Sequence, residues 1–282
     1  MPRGTVEDRD NALSATGGLE ATPSRPVLRT RRRRVDGRRR AYLLPSLFTV
    51  ANMLLGFYAV VLGLRGRFGL AASLVFAAAV LDSLDGRIAR MTGTESDFGR
   101  EYDSLADLVT FGMAPALLSY LWGLTELGRV GWLAPLFFLV CAATRLARFN
   151  VQTRKVDGRY FVGLPSPAAA GGVASLLFVA PDHEWKPWLN LLLLGVLLTL
   201  ALLMVSTFRY PTFKQLDLRR GWSYRVVLPI AAILLLAAYN PPAFLVSASA
   251  LYAASGPWLW LRGKLRHRGE HAADTEPGQD GP

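Results

Sequence analysis

Apolar positions along this 282-residue chain gather into long blocks separated by short polar breaks. The blocks run at about 45–64, 68–90, 103–122, 130–148, 165–181, 187–207, 224–239 and 241–261. Runs near the roughly 20 residues that carry a helix across a bilayer mark membrane-spanning segments. The pattern predicts an all-α, polytopic integral membrane bundle of about eight transmembrane helices. Pro241 and Pro242 in YNPPAF read as a tight turn between the last two; one kinked helix there would give seven.

Residues 1–27 are polar and rich in Gly, Ser, Thr and Pro, the composition of a disordered segment. No short apolar region near the start fits a cleavable signal, so a disordered, arginine-rich cytoplasmic arm over 1–40 is expected to stay on the chain. A transmembrane domain over 41–262 and a polar tail over 263–282 complete the expected organisation.

Composition sharpens this picture. Hydrophobic residues make up 51% of the chain and charged residues 19%, below the roughly 25% of soluble domains. The net charge of +11 could suggest nucleic acid, but the arginines concentrate in RTRRRRVDGRRR, directly before the first apolar block. A basic stretch there reads as an orientation signal and a ligand for anionic headgroups, so no nucleic-acid partner is expected. Loop charge agrees: Arg87, Arg90, Arg100, Arg154, Lys155, Arg159 and the tail arginines share one side, against Arg65, Arg67, Arg129 and Lys186 on the other. Both termini are therefore expected in the cytoplasm. The single cysteine, Cys141, lies in an apolar block and reads as a small buried hydrophobe.

Chemistry concentrates in LDSLDGRIARMTGTESDFGREYDSLADLVT, Leu81 to Thr110. Asp82 and Asp85 are three apart and Asp103 and Asp107 four apart, so each pair shares a helix face. A short connection makes the two helices neighbours, and the pairs converge at one membrane surface. Four carboxylates that close need cations, and all-oxygen ligands suit hard divalent ions rather than zinc. Gly86 and Gly99 leave room for a bulky ligand near backbone, and Arg87 and Arg90 suit phosphate oxygens. Asp97 and Glu101 lie off the paired faces and read as solvated. Carboxylates, metal, small residues and arginine together describe a phosphoryl-transfer site.

The segment reads D-x-x-D-G-x-x-A-R, eight residues, then G-x-x-x-D-x-x-x-D, and it resembles the signature of the CDP-alcohol phosphotransferase family. Every fixed position is filled: Asp82, Asp85, Gly86, Ala89, Arg90, Gly99, Asp103 and Asp107. The resemblance implies a core of six transmembrane helices, here plus two, and a homodimer. It implies transfer of a substituted phosphate from a CDP-linked donor to an alcohol, with release of CMP. By motif position, Asp82, Asp85, Asp103 and Asp107 would hold two divalent ions, Mg²⁺ or Mn²⁺, with Asp107 also taking the alcohol proton. Gly86, Ala89, Arg90 and Gly99 would lie along the donor.

Four further stretches resemble the phosphatidylserine synthase branch: LFTVANMLLGFYAV, LVTFGMAPA, RLARFNVQT and FVGLPSPAAAG. That resemblance implies CDP-diacylglycerol as donor and L-serine as acceptor, and the loop charges put the acidic stretch on the cytoplasmic side of a cell membrane. Where the branch carries Pro-Asn this chain has Pro45-Ser46, so Ser46 brings a hydroxyl to the donor and Asn52 is the stronger polar candidate in that helix. Arg145 and Arg148, three apart, can reach one site and fork onto the serine carboxylate, with Asn150 on its ammonium or hydroxyl. Ser166 reads as a helix cap. Inositol phosphate or glycerol phosphate as acceptor is the nearest rival. A divalent-cation transporter is the rival from another class, but transport sites lie nearer the midplane and use repeats.

Overall fold

The computed structural model describes residues 35–92, 97–152, 160–181, 187–211 and 224–273. Among them the chain forms α1 (Val35–Leu64), α2 (Phe68–Thr92), α3 (Asp97–Asp107), a π-helical turn (Leu108–Met113), α4 (Ala114–Trp122) and a 3-10 turn (Leu124–Leu127). There follow α5 (Gly128–Gln152), β1 (Tyr160–Val162), α6 (Ser166–Val179), α7 (Pro187–Val205), β2 (Arg209–Pro211), α8 (Tyr224–Tyr239) and α9 (Pro241–Ala273). Because α3, the π turn and α4 run on as one rod, the described residues hold eight helical rods.

Five helices are long and apolar enough to cross a membrane, over Leu47–Leu64, Asp97–Trp122, Leu124–Val151, Pro187–Val205 and Pro241–Arg262. Phe68–Leu84 and Ser166–Val179 are shorter apolar helices. The result is the polytopic helical membrane bundle that the apolar blocks predict.

Helix α1 lies along α2, α3, the π turn and α4, while α6 packs against α2, α7 and α9. The residues between them are small: Ala59, Ala71, Ala72, Ala78, Ala169, Ala170 and Ala174 are all buried. Small side chains let helix backbones approach closely, which matters in lipid because there is no hydrophobic drive between helices. Large side chains point the other way. Leu47, Leu54, Phe57, Leu191 and Leu202 are mostly exposed, the inside-out arrangement of a bundle solvated by acyl chains.

Three boundaries differ from the sequence pattern. Helix α1 begins at Val35, so the last residues assigned to a disordered arm are helical, and α9 continues to Ala273, past the expected tail boundary at 262. Extending an existing helix needs no new nucleus, and arginine is a good helix former, so polarity alone does not stop it. The third rod begins at Asp97 rather than 103, which puts Gly99 in its first turn. The arm through residue 34 lies outside the described residues.

Helices α8 and α9 are separate, as a turn at YNPPAF requires. Only Asn240 stands between them, and its Oδ1 accepts the Ala243 N–H at 3.3 Å. Asn240 thus caps α9, and Pro241 fills the first helical position, where a missing N–H costs nothing. The all-α expectation is qualified by one feature, a two-stranded antiparallel ribbon pairing Phe161 with Tyr210. It gives the segment between α5 and α6 backbone partners, and two further bonds extend it: Gly163 N–H to Phe208 O at 2.9 Å and Leu164 N–H to Leu203 O at 3.0 Å.

Gly163 holds φ +84° at the ribbon's edge, and a Cβ there would run into the Met204 carbonyl. Gly163→Ala is therefore expected to destabilise the protein by about 1–3 kcal/mol. Thermal unfolding in detergent should show a lowered Tm, and an unchanged Tm would remove the ribbon from any role in fixing α6 against α7.

Candidate active site

The site is assembled on α1, which presents Asn52 and, one turn later, Gly56. The absence of a side chain at Gly56 brings the π turn against α1, since a Cβ there would lie 2.7 Å from both Cα and Oγ1 of Thr110. Thr110 Oγ1 donates to the Asn52 carbonyl at 3.1 Å, and Asn52 Nδ2 donates to Asp107 Oδ1 at 3.4 Å. The π turn has a local cause in Pro115, in the first turn of α4. Proline cannot donate to the carbonyl four residues back and its ring crowds it, so the preceding turn widens instead. Through this turn α4's packing sets how α3 presents its carboxylates to α1.

Three carboxylates converge there. Asp82 on α2 and Asp103 and Asp107 on α3 each offer an oxygen, all within 4.8 Å of one another. Asp82 and Asp107 are within hydrogen-bonding reach. Asp103 Oδ1 and Asn52 Oδ1 are buried and accept no hydrogen bond. Buried oxygens are rarely left so. Three half-buried carboxylates with an unsatisfied oxygen fit a hard divalent ion, which supplies the missing partner and cancels the repulsion.

The side chains of the other motif residues, Asp85, Gly86, Ala89 and Arg90, lie outside the described residues, as does that of Ser46. Their backbone continues α2 and α1. Gly99 sits in the first turn of α3.

Of the three acceptor candidates, Arg145 is the one that faces the carboxylates. It is 8% exposed, its guanidinium attracts the Asp107 carboxylate, its Nη1 donates to Ser166 Oγ at 3.1 Å, and its Nε has no partner. Ser166 accordingly makes no capping bond at the start of α6, because its hydroxyl is turned to the guanidinium. Arg148 Nη1 reaches the Val205 carbonyl at 3.5 Å, near the end of α7. Asn150 Nδ2 donates to Ser104 Oγ at 3.0 Å and to Glu101 Oε2 at 3.3 Å, tying α5 to α3. Glu101, read from sequence as merely solvated, is thus a partner of Asn150, while exposed Asp97 pairs with Arg100.

Sequence reasoning did not single out Thr110, Gly56 or the Arg145–Ser166 bond. Thr110 falls three residues after Asp107, and Gly56 four after Asn52, so both lie on the motif's own helix faces. The sequence mark of the π turn that brings them together is Pro115, just past it in the first turn of α4.

A model of the CDP-alcohol phosphatidyltransferase family matches residues 42–238. The chain belongs to this family. A relative from Helicobacter pylori (strain J99) is 38% identical over 229 residues, covering 79% of this chain and 94% of that protein. A relative from Methanocaldococcus jannaschii is 33% identical over 226 residues, covering 80% and 98%. One from Bacillus subtilis is 36% identical over 172 residues, covering 61% and 92%. Each bears the name CDP-diacylglycerol–serine O-phosphatidyltransferase. Membership of a phosphatidyltransferase family decides against the cation-transport reading.

A divalent ion bound between Asp82, Asp103 and Asp107 would stabilise the folded chain by mass action, by about 2.7 kcal/mol at a hundred times its Kd. Mn²⁺ is therefore expected to raise the Tm of the purified protein, and Asp103→Ala to abolish that rise. An equal rise in both would remove Asp103 from the metal site.

Proposed function

We propose that this chain is a phosphatidylserine synthase, moving the phosphatidyl group of CDP-diacylglycerol to the hydroxyl of L-serine and releasing CMP. The observation that carries the reading is the placement of a buried, partly unsatisfied arginine beside three converging carboxylates. The carboxylates suit a diphosphate donor with its divalent ions. The guanidinium suits an acceptor that carries a carboxylate of its own. The names of the relatives from three distant organisms support the same donor and acceptor.

Asp82, Asp103 and Asp107, with Asp85 by motif position, hold the ions, taken as Mg²⁺ or Mn²⁺. When bound, such ions polarise the phosphoryl group and stabilise the departing CMP. Asn52 orients Asp107 through its amide N–H, which fixes one carboxylate oxygen. Asp107 takes the proton from the serine hydroxyl as that oxygen forms its bond to phosphorus and the phosphoanhydride bond to CMP breaks. Arg145 holds the serine carboxylate, and Ser166 holds Arg145. Gly86, Ala89, Arg90 and Gly99 line the donor, together with Ser46 and Asn52 on α1. Arg148 and Asn150 flank the acceptor side, Asn150 through its contact with Ser104.

The arrangement favours serine over a phosphorylated alcohol. A phosphomonoester dianion calls for several cationic groups, whereas among the described residues Arg145 is the buried cation at the carboxylates and Arg148 is turned to a backbone carbonyl. Inositol phosphate and glycerol phosphate remain the acceptors to test beside it. The basic loops support a cytoplasmic site in a cell membrane, with the domain over 41–262 and a homodimer as the family resemblance implies.

The test is a radiolabelled serine assay on purified protein with CDP-diacylglycerol and Mn²⁺. Label is expected to enter lipid with equimolar CMP, to stop with chelator, and to fall about 10²–10⁴-fold in Asp107→Asn. Arg145→Lys keeps the charge but loses the fork, so its KM for serine is expected to rise about tenfold or more. CMP release with glycerol phosphate or inositol phosphate, but not with serine, would keep the family and overturn the acceptor.

A further inference from the structure

Asn52 is a fully buried amide within an apolar stretch of α1, LFTVANMLLGFY. A polar side chain there is unfavourable unless its groups are met, and its presence marks a function. Its amide nitrogen meets Asp107 at 3.4 Å, while its amide oxygen has no partner among the described residues. Turning the amide over does not remove the mismatch, because it would set a carbonyl oxygen against a carboxylate oxygen. The oxygen stands roughly 2.2 Å from the nitrogen that meets Asp107, and Asp107 shares one cluster with Asp82 and Asp103. Helix α1 packs along both α2 and α3, which carry those carboxylates. The orphaned oxygen therefore sits at the edge of the cluster, where Asp103 keeps a second one. Two unmet acceptors at one point call for a cation.

Orienting Asp107 does not by itself account for an amide at this position. A serine or threonine hydroxyl would donate to a carboxylate without burying an unmet carbonyl oxygen. What asparagine adds is a neutral oxygen. Hard divalent ions take amide carbonyls together with carboxylates, and a neutral ligand raises the number of oxygens without adding charge. The four aspartates of the motif already balance two divalent ions, so a fifth carboxylate would restore the repulsion that the ions remove.

We propose that Asn52 is a ligand of the divalent ion, its Oδ1 joining the oxygen set of Asp82, Asp103 and Asp107 while its amide N–H holds Asp107 in place. Helix α1 then contributes to the metal centre itself. Gly56 and Thr110, which seat the π turn against α1, set how that ligand meets the carboxylates. The inference rests on the metal-assisted part of the proposed reaction and adds a ligand that the aspartate motif does not contain. Asn52 meets the donor through the ion to which the diphosphate binds.

The test is Mn²⁺ binding to the purified full chain, followed by the EPR signal of the free ion with neither donor nor acceptor present. Asn52→Leu, close in size and without either polar atom, is expected to raise the Kd about tenfold or more. Asn52→Cys puts a soft sulfur where the oxygen stands. Cd²⁺ is then expected to bind in preference to Mn²⁺ and to bring up the ultraviolet absorption of a cadmium–thiolate bond. The wild type, whose one cysteine is the buried Cys141, is expected to show no such band. An unchanged Kd in Asn52→Leu would overturn the inference. So would weaker Mn²⁺ binding in both variants with no thiolate band, because Asn52 would then act only by holding Asp107. The Tm of each metal-free variant checks its fold; should Asn52→Leu not fold, the cadmium band of Asn52→Cys decides alone. Serine transfer is measured separately. A wild type that binds Mn²⁺ through Asn52 yet transfers nothing to serine would sink the proposed function and leave the metal ligand standing.

Discussion

Like charges gathered at one point constrain the whole of this structure. Asp82, Asp103 and Asp107 bring oxygens within 4.8 Å of one another at the edge of an apolar bundle. Carboxylates in such surroundings are unfavourable by several kcal/mol each unless cations or donors meet them. The protein supplies few donors: Asn52 reaches Asp107, and Asp103 keeps an oxygen with none. The shortage is what suits the cluster to a cation rather than to a buried polar network. A satisfied network would have no use for metal.

Holding repelling groups together requires rigid helices, and the packing provides them with small residues. Alanines between α1, α2 and α6 set the helix spacing, and Gly56 lets the π turn touch α1. The π turn then carries Thr110 to the Asn52 carbonyl, the same residue whose amide holds Asp107. A bulkier residue at Gly56 would act at the carboxylates without touching them. Likewise the ribbon between β1 and β2 fixes the entry to α6, on which Ser166 sits to receive Arg145. The carboxylate and arginine halves of the site thus hang on separate supports that meet at the Arg145–Asp107 attraction.

Much of this was legible in the sequence, for identifiable reasons. Apolar block length is a direct consequence of bilayer thickness, so the helices could be read off with errors only at their polar ends, at Val35, Asp97 and Ala273. The carboxylate convergence was legible because i,i+3 and i,i+4 spacing is a property of the helix itself. What depended on tertiary contact was not. Ser166 looks like a cap by its place in the chain, and only the approach of α5 turns it to Arg145. Asn150 looks like a ligand by its neighbours, and only the register of α3 gives it Ser104 and Glu101. The ribbon is too short to leave a periodic trace, and the burial of Tyr210 gave no signal because it depends on where α9 docks.

The depth of the site follows from the same helices and bears on its chemistry. The apolar run of α2 gives way in sequence to Asp85, Gly86 and Arg87, so Asp82 lies within about one turn of its polar end. Asp103 and Asp107 fall within the first three turns of the rod that begins at Asp97, with its apolar length beyond them. A reacting centre at that level has hydrocarbon on one side and the polar helix ends on the other. A donor with acyl chains can keep them in lipid while its diphosphate meets the carboxylates. A small zwitterionic acceptor can arrive from water and be fixed by a single buried guanidinium. Placed a few turns deeper, the cluster would strand a water-borne acceptor in hydrocarbon; placed in a loop, it would lose the low-dielectric walls that strengthen the field of a buried guanidinium.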